Sequence, residues 1–592
     1  MIVACSGARR RVPSLRSLTT TPSASASNTA ADLLDDLINY ERSGIPPAAG
    51  TAGSSRFDLG RMHRLLAALG NPHLGLKAVH VAGSKGKGST ATLVAHTLAT
   101  AGYRPGLYTS PHLLALEERI AVAHPGAASP TPTPIASDDL AFLLGRFGGA
   151  IRGRAEAEGG RLSHFEVVTA LAFRYFADCS VDVAVVETGL GGVTDATNVF
   201  PPPNLQSAVI TGLGLEHVEA LGGSLASIAA AKAGIARRGR PLVLGRQVHS
   251  EAVEVVVREA EVAGCGPLVR AEESVLVRSH GMELHPEALG QAIRERLTLQ
   301  LLPEPDSETN TTSTTTSSSS SSSAAGGGGS GSGSGGGGGD LDVTVGLVGP
   351  HQHDNVATAV ATVRVLRRQG WVLPDEALVA GLREAHLPGR FQVVKLPGPD
   401  GPWVVLDGAH TAESAAALAA SLRTAFPGPA ATTTTTSSDR YPSGAGSGAA
   451  GGGGGGVGAP VALVLAMADD KDHRGVVAAL RGVQPRVAVF TSVPIAGSYR
   501  RAAAPGTLAG HWQAAAILAP PSSRPFRCRE LVQASLGAAF EKARQELRGV
   551  RAGLGLGPGV GPPGVILVTG SLHAVAEAHK LPELQPLLRA GW

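Results

Sequence analysis

Apolar positions along this chain recur with two different periods. Leu33, Leu34, Leu37 and Ile38, then Met62, Leu65, Leu66 and Leu69, fall at helical spacing and predict two amphipathic helices. Ala78-Val79-His80-Val81-Ala82 is a short apolar run instead, ending in glycines before Ala91-Thr92-Leu93-Val94-Ala95. That succession reads as strand, loop and helix. It returns at Val181 to Val186, Ala208 to Ile210 and Pro241 to Leu244, and in the second half at Trp403 to Leu406, Val461 to Leu465, Val487 to Phe490 and Val565 to Val568. Apolar strands separated by helical stretches predict an α/β fold with parallel sheets covered on both faces.

Two segments break the alternation. Ser307 to Gly339 runs from a Thr/Ser tract into a Gly/Ser tract, and Pro427 to Gly458 has a polythreonine core and a polyglycine end. Neither can bury enough apolar area to offset its ordering entropy, so both are expected to be disordered insertions in surface loops. Near Leu387-Pro388-Gly389-Arg390 one series of strand and helix units ends and another begins. The expected organisation is a first domain over 31–386 and a second over 387–592. Ahead of them, residues 1–30 hold Arg9, Arg10, Arg11 and Arg16, many Ser, Thr and Ala, and no acid. That is the composition of an organelle-targeting leader or of a merely disordered N-terminus.

Composition removes some classes of function. A formal charge of +3 over 592 residues supplies no basic stripe for a nucleic acid. Cys5, Cys179, Cys265 and Cys528 are far apart, which argues against a disulfide framework or a zinc site and fits a reducing compartment. No uninterrupted apolar stretch reaches the roughly 18 residues a membrane-spanning helix needs. With 4% aromatic residues and 43% hydrophobic ones, the interior should be built from Ala, Val and Leu.

Candidate chemistry begins at Gly83-Ser84-Lys85-Gly86-Lys87-Gly88-Ser89-Thr90. A loop that follows a strand and opens a helix presents backbone N–H groups to an anion, with Lys87 supplying charge to the outer phosphates and Gly86, Gly88 and Ser89 lining the cradle. The common phosphate loop places Ser or Thr directly after the lysine, whereas here Gly88 intervenes. A flexible surface loop is the plainer alternative. Glu187 ends the Val-rich strand, where an open parallel sheet presents ligand-binding groups, and a carboxylate is a natural magnesium ligand. A helix-starting or solvated carboxylate is the alternative. Asp407 has the corresponding place after Val404-Val405-Leu406.

The stretch from His80 to Thr90 closely resembles the signature of the folylpolyglutamate and dihydrofolate synthases, members of the Mur ligase superfamily. The resemblance continues through Tyr108-Thr109-Ser110-Pro111-His112-Leu113, Ser163-His164-Phe165-Glu166, Glu187-Thr188-Gly189-Leu190-Gly191-Gly192, Asp195-Ala196-Thr197-Asn198, Gly214-Leu215-Glu216-His217 and Ala231-Lys232-Ala233-Gly234-Ile235. It then reaches His351-Gln352-His353-Asp354-Asn355, Leu387-Pro388-Gly389-Arg390 and Leu406-Asp407-Gly408-Ala409-His410-Thr411, covering nearly all of the chain outside the leader and the insertions.

The resemblance implies an N-terminal P-loop ATPase domain with a parallel sheet, a smaller C-terminal Rossmann-like α/β domain, and the use of ATP and Mg2+. It implies that Ser110 and His217 join Glu187 around the metal, that Lys232 is carbamylated as in many members and holds a second ion, and that Asn355, Arg390 and Asp407 contact the nucleotide from the far side. His410 is a candidate for orienting Asp407 or meeting the incoming amino acid. Arg119, Glu166, Asp195 and Asn198 are candidates for the pterin side. Three positions depart from the family pattern: Ala231 where glutamate is common, Val193 where arginine is common, and Glu216 where aspartate is common.

The expected reaction is ATP-dependent ligation of L-glutamate to a pterin-linked carboxylate through an acyl phosphate. The run Asp407 to Ala415, with Leu162 to Glu166 and the arginine-containing leader, is most similar to plant-type organellar dihydrofolate synthases, which favours 7,8-dihydropteroate as acceptor. Extension of a folate glutamate tail is the alternative, and a nucleotide-binding protein without turnover is a more distant one. The expected partners are small molecules, without nucleic acid or membrane. The expected state is a monomer and the expected location the mitochondrion, with plastid or cytoplasm as alternatives.

Overall fold

The computed structural model describes residues 32–51, 57–126, 131–303, 339–427, 458–517, 526–553 and 563–588. The leader lies outside the described residues, as do both low-complexity insertions apart from Gly339, Pro427 and Gly458.

The first sheet has eight strands: β1 (Ala78–Ala82), β2 (Pro105–Tyr108), β3 (Ile120–Val122), β4 (Thr133–Pro134), β5 (Val183–Glu187), β6 (Leu205–Ile210), β7 (Leu242–Leu244) and β8 (Leu268–Arg270). Their order is β4-β3-β2-β5-β1-β6-β7-β8, parallel except for β3 and β4 at one edge. Both faces are covered. Along β1, Ala78 and Ala82 join a cluster with Phe173, Phe176 and Phe200, while Val79 and Val81 join another with Leu93, Val94 and Val360. A strand buried on both sides reads as an unbroken apolar run. The helix Lys87–Thr100 that follows is buried from Ser89 to Ala99, enclosed by the sheet and by the helices Pro350–Arg368 and Asp375–Glu384. The last of these approaches so closely that a Cβ on Gly381 would lie 2.5 Å from the Thr97 Cα.

A second, antiparallel sheet of order β11-β10-β9 is made by β9 (Val275–Leu284), β10 (Ile293–Leu301) and β11 (Asp340–Val345). Its central strand β10 alternates buried positions with half-buried or exposed ones, and β9 is largely solvent-facing, so none of the three reads as a continuous apolar run. The third sheet comprises β12 (Gln392–Lys395), β13 (Trp403–Leu406), β14 (Val461–Leu465), β15 (Val487–Phe490), β16 (Arg529–Val532) and β17 (Val565–Thr569). Its order is β12-β13-β17-β14-β15-β16, with β12 antiparallel to its neighbour and the rest parallel. Every one of the predicted apolar runs overlaps a strand of the first or third sheet.

Of the two predicted N-terminal helices, Leu59–Ala68 is capped by Asp58 and buries Met62, Leu65 and Leu66. The other is cut short: Leu33 and Leu34 are buried, but Ile38 forms a parallel bridge to Ser163. Among the described residues no helix is long and apolar enough to cross a membrane. The loops after β1, β5 and β13 open onto one cleft of about 1680 Å3 between the first and third sheets.

Candidate active site

The phosphate-loop backbone is fixed from within the first domain. Thr211 Oγ1 donates to the Lys85 carbonyl at 2.6 Å, Lys232 Nζ to the Gly83 carbonyl at 2.6 Å, and Ser84 Oγ to the Gly214 carbonyl at 3.0 Å. Gly86 sits at the helix N-cap with φ +83°, and no side chain caps the helix. Its first-turn N–H groups are thereby left for a ligand. Glycine is required at this position twice over, because a Cβ would also lie 1.9 Å from Asn355 Oδ1. Gly88 lies close to the metal candidate as well: a Cβ there would be 3.3 Å from Glu187 Oε2. Ser89 follows in the same turn and is buried.

Glu187 is buried at the end of β5, where its Oε2 accepts from the Ser110 N–H at 3.1 Å and its Oε1 lies 3.9 Å from Lys87 Nζ. Burial raises its carboxyl pKa, opposed first by the Lys87 charge. His217 lines the same cleft in a left-handed conformation, φ +53°. Burial pushes its imidazole down to about 4, leaving a neutral ring with a free lone pair. Lys232 is buried too; desolvation first, then the Lys87 charge, brings its amine down to about 7. Among the described residues no three His, Cys, Asp or Glu side chains converge as a metal cluster.

Across the cleft, Asp407 leaves β13 with its carboxylate held by two amides, Oδ2 by Phe391 N–H and Oδ1 by Ala409 N–H, each at 2.8 Å. Burial raises its pKa, and the Arg390 charge opposes the shift. His410 does not orient Asp407. Its Nδ1 lies 2.9 Å from the Gly408 carbonyl, an acceptor only, so Nδ1 carries the proton and Nε2 is an acceptor. Arg390, Asp407 and His410 line the cleft opposite Lys87, whereas Asn355 does not come from the far side as expected: it stands on the helix Pro350–Arg368, which packs on the Lys87 helix and brings its side chain against Gly86.

The four pterin-side candidates separate. Arg119, Glu166 and Asp195 line the cleft, but each is bonded within the protein. Arg119 is forked onto Glu41. Glu166 closes the capping box of helix His164–Asp178 with Ser163 and accepts from Arg61 Nε at 2.7 Å. Asp195 accepts from the Leu190 and Thr197 N–H groups at 2.8 and 3.0 Å, shaping the loop after β5. The amide of Asn198 is taken up by the Val193 and Gly234 carbonyls and by Arg237, so it holds that loop to the Lys232 helix.

Sequence reasoning passed over Lys85. Its Nζ pairs with Glu216 Oε1 at 2.7 Å and donates to Thr411 Oγ1 at 2.9 Å, tying the phosphate loop to the second domain. The only available signal was a second lysine two residues before Lys87. Two of the departures from the family pattern prove to be neighbours. Val193 and Ala231 meet in one apolar cluster with Leu190, Leu221 and Ile228, and the Val193 N–H donates to the Ala231 carbonyl at 2.8 Å.

Comparison with known proteins places this arrangement. No family model matches the chain. The dihydrofolate synthase/folylpolyglutamate synthase of Bacillus subtilis is 32% identical over 370 residues, 62% of this chain and 72% of that protein. The folylpolyglutamate synthase of Lacticaseibacillus casei is 31% identical over 371 residues, 62% and 73% of the two chains. The chain belongs to the dihydrofolate synthase/folylpolyglutamate synthase family. It is therefore an ATP-dependent ligase. The family fold extends over almost all of it: Mycobacterium tuberculosis folylpolyglutamate synthase, solved with ADP and AMPPCP, superposes with a TM-score of 0.65 at 27% identity, covering 94% of this chain and 98% of that one.

Proposed function

We propose that this ligase joins L-glutamate to the carboxylate of 7,8-dihydropteroate, converting ATP to ADP and phosphate. The observation that carries the reading is one cleft in which an uncapped helix N-terminus with Lys87 and Glu187 faces Arg390, Asp407 and His410. A carboxylate is a poor electrophile, so it must first be activated. Lys87 and the N–H groups after Gly86 stabilise charge as the γ-phosphoryl group passes to the pterin-linked carboxylate, giving an acyl phosphate and ADP. Asn355, beside Gly86, and Arg390 and Asp407, from the far wall, hold the nucleotide between them. The glutamate amine then attacks the acyl carbon and phosphate leaves. His410 Nε2, an acceptor at neutral pH, receives the amine proton.

Glu187, Ser110 and the neutral His217 would hold Mg2+, which supplies charge neutralisation at the phosphate oxygens. The donors fit: a buried carboxylate with one N–H and a lysine 3.9 Å away has capacity for a cation, and magnesium retains waters beside one or two protein ligands. Lys232, with a pKa of about 7, presents an amine able to take up CO2 and become a ligand for a second ion. Tail extension on folates is the alternative reading, supported by the double name of the Bacillus relative.

The deciding assay is ADP release by the full chain with ATP, Mg2+, glutamate and either dihydropteroate or tetrahydrofolate. Turnover with dihydropteroate is expected. Turnover only with tetrahydrofolate overturns the choice of acceptor, and ADP release without glutamate and pterin would show a plain ATPase. The arginine-containing N-terminus supports import into mitochondria, tested by fusing residues 1–30 to a fluorescent protein. A monomer acting on small molecules alone predicts elution at the mass of one chain.

A further inference from the structure

We propose that Glu41 sets the acceptor specificity of this site, by occupying Arg119 so that the cleft takes a pterin ending in an aromatic carboxylate and rejects one already carrying glutamate. The proposal rests on the dihydropteroate reading above. Arg119 closes the short helix Leu116–Arg119 and its side chain is 0% exposed, yet it borders the cleft. Its Nε donates to His112 Nδ1 at 2.9 Å, and its two terminal nitrogens donate to Glu41 Oε1 and Oε2 at 2.9 and 2.6 Å. This fork-on-fork pairing is the geometry in which arginine binds a free carboxylate. The countercharge to the Arg119 guanidinium is therefore the Glu41 carboxylate, which takes both of its terminal nitrogens. The Glu41 side chain is 43% exposed, so the carboxylate of the pair, and not the guanidinium, faces an incoming ligand.

Glu41 is held in place from both domains. Asn39 Oδ1 caps its helix, Tyr40–Ser43, accepting from the Glu41 N–H at 3.0 Å. Arg501, from the second domain, donates to the Glu41 carbonyl at 2.9 Å and pairs with Asp470 at 3.2 Å. On the other side Glu118 accepts the N–H groups of Leu113, Leu114 and Ala115, fixing the loop that presents Arg119. Neighbouring arginines are matched as well, Arg42 with Asp35 at 2.9 Å and Arg61 with Glu166 at 2.7 Å.

The two acceptor classes differ in one group. Dihydropteroate has a single carboxylate, the one that reacts at the phosphate loop. A glutamylated pterin has an α-carboxylate beside its reacting γ-carboxylate. That second anion needs a cation, and along this wall it meets Glu41 instead, where like charges repel and an unpaired buried carboxylate is costly.

The test compares wild type with Glu41→Gln and Glu41→Ala in the full chain, using dihydropteroate and tetrahydrofolate with ATP and glutamate. The ratio of kcat/KM for tetrahydrofolate over dihydropteroate is expected to rise about tenfold in either variant, whatever the absolute rates. An unchanged or lower ratio in a folded variant overturns the proposal. A second measurement uses wild type only: pteroate should inhibit the dihydropteroate reaction about tenfold more tightly than pteroylmonoglutamate. Equal inhibition overturns the proposal even if neither variant folds. If wild type turns over tetrahydrofolate alone, the dihydropteroate reading fails separately, on the first pair of assays.

Discussion

The two walls of the cleft are built on the same plan and end differently. On each, a buried parallel strand runs into a loop and then a helix: β1 into Lys87–Thr100, β13 into Ala412–Ala425. The second helix caps itself, with Thr411 Oγ1 accepting from the Ser414 N–H at 3.2 Å and Ser414 Oγ accepting from the Thr411 N–H at 3.0 Å. The first begins at a left-handed glycine with no side-chain cap. A self-capped terminus has its donors satisfied, whereas an uncapped one remains ready for an anion. A strand–loop–helix unit thus keeps its first-turn donors open to an anion through what its N-cap residue lacks.

The largest test of this contrast removes the charge at the open terminus. Lys87→Met should lower kcat for glutamate-dependent ADP release by about 10²–10³-fold, the size expected for losing one preorganised transition-state contact. A loss below tenfold would place the catalytic charge elsewhere. Next, Gly86→Ala imposes a left-handed alanine and a collision with Asn355, costing about 1–3 kcal/mol in local strain. Nucleotide binding by calorimetry should weaken accordingly; unchanged binding would show that the loop does not need this conformation to hold the nucleotide.

The link between the walls gives a smaller effect. Lys85→Met, Thr411→Val and the double variant form a cycle in which a coupling of about 0.5–1.5 kcal/mol in ATP KM is expected. Additive changes would mean that the 2.9 Å contact does not join the walls during turnover. The smallest contrast lies in the strands beneath. β1 carries His80, buried and bonded to Thr197 Oγ1 at 2.8 Å, whereas β13 has no titratable residue. Desolvation, with a smaller contribution from Arg237, lowers His80 to about 3 from its ordinary 6.5. The unfolded chain therefore binds the extra proton between these values, so this contribution to stability is complete above pH 6.5 and is lost as pH falls towards 3. Between pH 6.5 and 5 the loss should be about 1–2 kcal/mol. His80→Gln should flatten that part of the denaturant-measured profile; an unchanged slope would remove His80 as its source.

Local pattern made the buried parallel strands readable, because burial on both faces forces continuous apolar runs. The half-exposed strands β9 to β11 and the interrupted helix at Ile38 were not readable, since their form depends on a partner distant in sequence: Ile38 bridges Ser163. Gly86, Lys87 and Glu187 were recognisable from their places at strand ends and a helix start. Glu41 was not, because nothing local joins it to a cation 78 residues away. Val193 and Ala231 look like two unrelated departures in the sequence and become one apolar contact only in space.

By itself, then, the sequence determined the class of fold, the strand–loop–helix unit with its intervening Gly88, and the family. These depend on residues adjacent in the chain or on the order of motifs along it. Tertiary structure alone decided which charges are available. Arg119 and Glu166 read as open substrate groups and are paired, Lys232 reads as a metal ligand only through the family resemblance and is buried with its amine on the Gly83 carbonyl, and Lys85 reads as a bystander and bridges two domains. Ionic partners and desolvation are properties of distance in space, to which the order of residues gives no direct access.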